Sequence, residues 1–138
     1  MKRLLASSLL ILGAATVAAQ PKTAKNANSV AVGRYSCVFS FDGQFFDTKP
    51  VTIKDGKRYE TARGEGTWEY QPSTRVLKFS GVLGRLYTNA SYAPNGQIAG
   101  GLKNKKVPGL HFKPSAAFKK EKGPEAVPQF CYLETPAK

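Results

Sequence analysis

Read from Gly33, the chain alternates. In GRYSCVFSF, Tyr35, Cys37, Phe39 and Phe41 fall on one face, and Arg34, Ser36, Val38 and Ser40 fall on the other. A period of two is the repeat of a strand buried on one side, and a helix does not satisfy it. Further short extended segments follow, divided by turn chemistry at Asp42-Gly43, Asp55-Gly56, Gln71-Pro72-Ser73-Thr74 and Pro94-Asn95-Gly96. Glycine accepts the positive φ such turns need, and proline sets φ at the second turn position. Residues 45–53 read as a strand that lies at an edge or breaks at Pro50, which has no N–H to give a ladder. KRYET, GTWEY and RVLKFS continue the pattern. Residues 82–92 read as a longer strand with Gly84 as a bulge, QIAGGL as the next, and QFCYLE as the last. No helix is predicted beyond the N-terminal segment. About eight short strands with turns roughly every 8–12 residues predict an all-β fold, a small antiparallel up-and-down barrel, with a β-sandwich as the alternative. Trp68, Phe39, Phe41, Leu77, Phe79, Tyr92 and Ile98 are the expected core.

The two cysteines strengthen the barrel reading. Cys37 lies in the first expected strand and Cys131 in the last, where closure of a meander makes neighbours of them. The N-terminus, MKRLLASSLLILGAATVAAQ, has a positive head, an uncharged apolar run and small residues before Gln20, the layout of a secretory signal. The run is shorter than the roughly 20 apolar residues of a membrane span. The expected organisation is therefore a signal peptide over 1–19, a flexible leader over 20–32 and a single β domain over 33–138. A secreted or periplasmic location is oxidising, and an even pair of cysteines in a small domain there is expected to form a disulfide. In the chain-entropy account, closing the loop of about 95 residues from Cys37 to Cys131 gives roughly 4–5 kcal/mol.

GRYSC, GEGTWEY, RVLKFSGVL and the late cysteine together resemble a loose group of small exported bacterial proteins with a Gly-x-Tyr-x-Cys opening, a Gly-x-aromatic-x-Tyr strand and a late cysteine. The likeness covers residues 33–83 and the final strand. It implies the same small β domain and brings no catalytic residues with it.

Catalytic chemistry has little to work with. His111 is the one histidine, no Gly-x-Ser-x-Gly is present, and the cysteines are better used as a bridge. Glu65 and Glu69 lie four apart on one strand face, about 13 Å by strand rise, which is outside the range of a glycosidase pair. Metal ligands at short spacing are missing. The expectation is a non-enzymatic binding protein without a cofactor or metal.

Charge is the remaining clue. The chain has 21 basic and 9 acidic side chains, a formal +12, which becomes +10 once Lys2 and Arg3 leave with the signal peptide. Residues 103–124 alone carry Lys103, Lys105, Lys106, Lys113, Lys119, Lys120 and Lys122 against Glu121. Read as one Lys-rich loop between the last two strands, this segment is the expected site for an anionic partner: an envelope glycan, a lipid headgroup or membrane surface, nucleic acid, or an acidic protein. A lipocalin-like barrel carrying a small apolar ligand, or an inhibitor or interaction module for a secreted enzyme, are the alternatives. A monomer is expected.

Overall fold

The computed structural model describes residues 27–136; the expected signal peptide (1–19) and residues 20–26 of the expected leader lie outside them. Eight strands form a closed antiparallel barrel in sequence order: β1 (Gly33–Phe41), β2 (Gln44–Lys54), β3 (Arg58–Thr61), β4 (Gly64–Gln71), β5 (Val76–Phe79), β6 (Tyr87–Ala93), β7 (Gly109–Pro114) and β8 (Gln129–Pro136). Each strand pairs with its sequence neighbours, and β8 returns to pair with β1.

The turns form where the sequence asks for them. Asp42 and Gly43 both have positive φ (52° and 78°), the conformation of the two-residue hairpin turn that matches strand twist. Arg75 N donates to Gln71 O (2.8 Å) across the Pro72 turn. Pro50 sits opposite the register shift between Tyr35 and Cys37, so Lys49 and Pro50 form a bulge, and β2 meets β3 only from Val51 onward. The proline thus stands where no ladder bond is required of it.

Cys37 and Cys131 are direct cross-strand partners in the middle of the β1–β8 seam, and they form a disulfide buried in the core. Around it the lower half of the barrel is filled by Tyr35, Ile53, Trp68, Leu77, Ala90, Tyr92, Leu110 and Leu133, all buried. Outside, Glu134 bonds Arg34 Nε (3.1 Å) and Ser36 across the same seam.

Several expectations are corrected, the absence of helices among them. Residues 82–92 are not one strand: α1 (Gly81–Leu86) precedes β6. Gly84 is what permits this, because a Cβ there would stand 2.2 Å from the Phe79 carbonyl. The segment around QIAGGL is not a strand either. It folds over the outer face of β7 and β8, where a Cβ at Gly101 would meet the Tyr132 hydroxyl at 2.3 Å, and Leu102 N donates to that hydroxyl (2.8 Å). Residues 103–124 are not one loop, since they contain β7 and a second helix, α2 (Ala116–Lys122). Among the expected core residues, Phe41 is 59% exposed, and Phe39, Phe79 and Ile98 are only partly buried. Order also begins before Gly33: Val30, Ala31 and Val32 are buried.

Replacing Cys37 and Cys131 together by alanine is expected to lower unfolding stability by roughly 2–5 kcal/mol, read as a lower urea midpoint with little change in cooperativity. An unchanged midpoint would show that the seam does not depend on the bridge.

Candidate functional site

The two ends of the barrel differ. At the end where β1 begins, the segment just before it lies across the opening. Ala31 N donates to Tyr92 Oη (3.1 Å), Tyr35 Oη donates to Ala31 O (2.6 Å), and Tyr70 Oη donates to Ala27 O. Burial pushes all three phenols above their usual range. Three tyrosines from three strands thus satisfy the backbone of a strap that would otherwise bury unpaired polar groups.

The opposite end carries the turns of β1–β2 and β3–β4, and both helices. Tyr59, on β3, positions α1: its hydroxyl donates to Ser80 O (2.6 Å) and accepts from Leu83 N (3.0 Å). Ser115 ties α2 to α1. Its Oγ caps α2 by accepting from Phe118 N (3.0 Å) and donates to Arg85 O (2.9 Å), while its N–H donates to Leu86 O (2.8 Å). Phe118 then rests edge-on against Tyr87 (5.8 Å), which continues a run of rings through Phe112, Phe79 and Tyr59. β5 and β6 share only two register pairs, Val76↔Ser91 and Leu77↔Ala90, so the strands part toward this end and α1 occupies the gap.

Between the helices and the β1–β2 hairpin lies a cavity of about 790 Å³. Its floor is apolar and buried: Val51, Leu83, Tyr87 and Phe112. Its rim is exposed and charged, with Lys49, Arg63, Arg85 and Lys122 against Glu121 and Glu125. Burial raises the Tyr87 phenol to about 12, and the charge of Arg63 works against that rise. A volume in this range suits a ligand of drug-like size, and a few polar groups above an apolar floor fix how such a ligand lies.

The seven lysines are divided by this architecture. Lys103, Lys105 and Lys106 lie in the β6–β7 connection at the strapped end; Lys105 Nζ is 5.9 Å from the Tyr132 ring. Lys113 is on the outer face of β7, and Lys119, Lys120 and Lys122 are on α2 at the open end. The length of β7, roughly 17 Å by strand rise, separates the two groups. Only Lys122 lines the cavity. The two arginines of the rim were missed because Arg63 and Arg85 stand alone in sequence. The two helices contradict the expectation of none; the signal for α2 was the Ser115 and Gly123 that bracket AAFKKEK with start and stop residues, and for α1 the helical spacing of Leu83 and Leu86.

Glu65 and Glu69 are both exposed, outside the barrel. His111 also faces outward, stacked on Phe130 (4.6 Å, 8° between planes), and its Nε2 has no hydrogen-bond partner. No group of three or more potential metal ligands occurs among the described residues, and no helix among them is long and apolar enough to cross a membrane.

Burial, and then the charge of Lys113, push His111 below its ordinary 6.5. The unfolded chain therefore binds the proton first as pH falls. Stability is complete above about 6.5 and declines below it. The melting temperature should fall between about pH 7 and 5, before the depressed carboxylates Glu60 and Glu134 contribute at lower pH, and His111→Phe should flatten that interval. An equal slope in the variant would place the dependence elsewhere. No protein-family model, curated protein or solved structure matches the chain.

Proposed function

We propose that this is an exported, non-catalytic binding protein that takes one small amphipathic ligand, with an apolar body and an anionic head, into the open end of its barrel. The observation that carries the reading is the cavity, with its buried floor of Val51, Leu83, Tyr87 and Phe112 beneath an exposed rim of Lys49, Arg63, Arg85 and Lys122. An apolar chain laid on that floor leaves water, which is the dominant favourable term in small-ligand binding. The head then lies among the rim cations, where partial desolvation strengthens the attraction. Export is supported by the N-terminal pattern and by a disulfide consistent with an oxidising compartment.

This joins two expectations that the sequence held apart. The anionic partner becomes the head of a ligand, and the carrier reading supplies its body. Lys122 belongs to both, because it lies in the Lys-rich segment and at the rim. Lys103, Lys105 and Lys106 lie at the other end of the barrel and have no part in it.

Calorimetric titration with dodecanoate and with dodecanol tests the reading. Dodecanoate should bind in the micromolar range, and dodecanol more weakly. Arg63→Gln/Arg85→Gln/Lys122→Gln should weaken dodecanoate about tenfold, on the order of 1.4 kcal/mol, and leave dodecanol unchanged. Leu86→Trp, which narrows the cavity at its wall, should weaken both. Absence of binding by wild type, or equal binding of both ligands by the narrowed variant, would rule out the interior as the site.

A further inference from the structure

The β1–β2 hairpin extends past the body of the barrel. β8 pairs with β1 only as far as Phe39↔Gln129, and β3 pairs with β2 only over residues 51–54. Residues 44–50 of β2 therefore have an unpaired edge on the β3 side, and residues 40–45 form a tip that passes the last paired residue of both neighbouring strands. At or beside this tip the hairpin bears three exposed phenylalanines, Phe41 (59%), Phe45 (40%) and Phe46 (42%), the large hydrophobic side chains most exposed among the described residues. Phe39 and Phe46 stack on each other (5.5 Å), and Phe39 and Phe41 continue into the cavity wall.

An apolar tip that projects, instead of forming a concave face, is suited to entering its partner. Charge narrows the partner. At the same end α2 turns Lys119, Lys120 and Lys122 outward with Glu121 as its one acid. Lys49, Arg63 and Arg85 stand against Asp42 and Asp47 of the tip and Glu125 behind it. The chain as a whole is strongly cationic, which sets the sign of its long-range attraction. Aromatic side chains beside lysines are the pairing that settles at a bilayer surface, with rings at the acyl boundary and ammonium groups among the headgroups.

We propose that the hairpin tip docks the open end of the barrel onto a bilayer bearing anionic lipids, with Phe41, Phe45 and Phe46 inserted and α2 laid against the headgroups. If the cavity takes an amphiphile, as proposed above, docking brings its mouth to the place where such molecules partition. The docking itself does not depend on that reading.

Co-sedimentation with phosphatidylcholine vesicles, with and without phosphatidylglycerol, tests the proposal. Wild type should partition onto the anionic vesicles, and high salt should weaken it. Phe41→Ser/Phe45→Ser/Phe46→Ser should bind at least tenfold less. Phe41→Ser alone, at a position without ring contacts, should lower binding severalfold and keep the wild-type melting temperature. Lys119→Gln/Lys120→Gln should reduce binding to anionic vesicles and blunt the salt effect. No partitioning by wild type, or equal partitioning by the phenylalanine variants, would overturn the proposal. So would a concentration-dependent dimer in sedimentation that the phenylalanine variants abolish while vesicles stay unbound, since the tip would then meet a second copy. Vesicle binding without dodecanoate binding would leave docking standing and remove the ligand reading.

Discussion

The seam between β1 and β8 determines whether this chain has an inside. Seven residue pairs join the first strand to the last, and the Cys37–Cys131 bridge is one of them. Without the seam, the same eight strands would form an open sheet with two unpaired edges and a single apolar face, a form prone to pairing with other chains. With it, the inward residues of all eight strands share one interior. A ring of eight strands encloses a space that side chains can just fill or that can hold one small ligand. Here the lower section is filled by side chains and the upper section holds a cavity.

The depth is set by where the rings lie. Below the bridge, Tyr35, Tyr92 and their neighbours fill the section, and Ala31 of the buried segment at 30–32 is laced to two tyrosine hydroxyls, with Tyr70 holding Ala27 ahead of it. Above it, β5 and β6 part after two register pairs, and α1 and α2 stand in the breach without filling it. The tyrosines of the lower end meet backbone groups, whereas the wall of the upper end holds Tyr87 beside Arg63. One end is thus closed by the segment at 27–32, and the other holds an open cavity. The cations around the opening, and the aromatic hairpin that overreaches it, belong to the same upper end.

Much of the barrel was legible because its signals are local. The alternation through Tyr35, Cys37 and Phe39, the Asp42-Gly43 turn and the bulge at Pro50 each act within a few residues, and the structure follows them. Where the reading failed, the deciding contact was distant. Phe41 keeps the alternation of β1, yet it lies beyond the last β8 partner and so has nothing to bury against. The glycines at 84 and 101 look like strand interruptions in sequence, whereas each admits a close approach from Phe79 or Tyr132. Val30, Ala31 and Val32 follow a polar leader and show no period; only Tyr35 and Tyr92, across the barrel, fix them. The lysines of residues 103–124 are close along the chain but divided in space, because β7 runs between their two groups. Arg63 and Arg85, 22 positions apart, are brought to one rim by the β3–β4 turn and α1.

The proposed ligand enters at the open end of the barrel. Backbone amide shifts during a dodecanoate titration report on every element at once. The changes should gather at residues 39–51 and 61–63, along α1 and α2, and at the upper ends of β6 and β7, and leave 30–32, 55–57 and 94–108 unmoved. Shifts confined to the loop of Lys103, Lys105 and Lys106, or none at the mouth, would contradict the assignment of the cavity as the binding site.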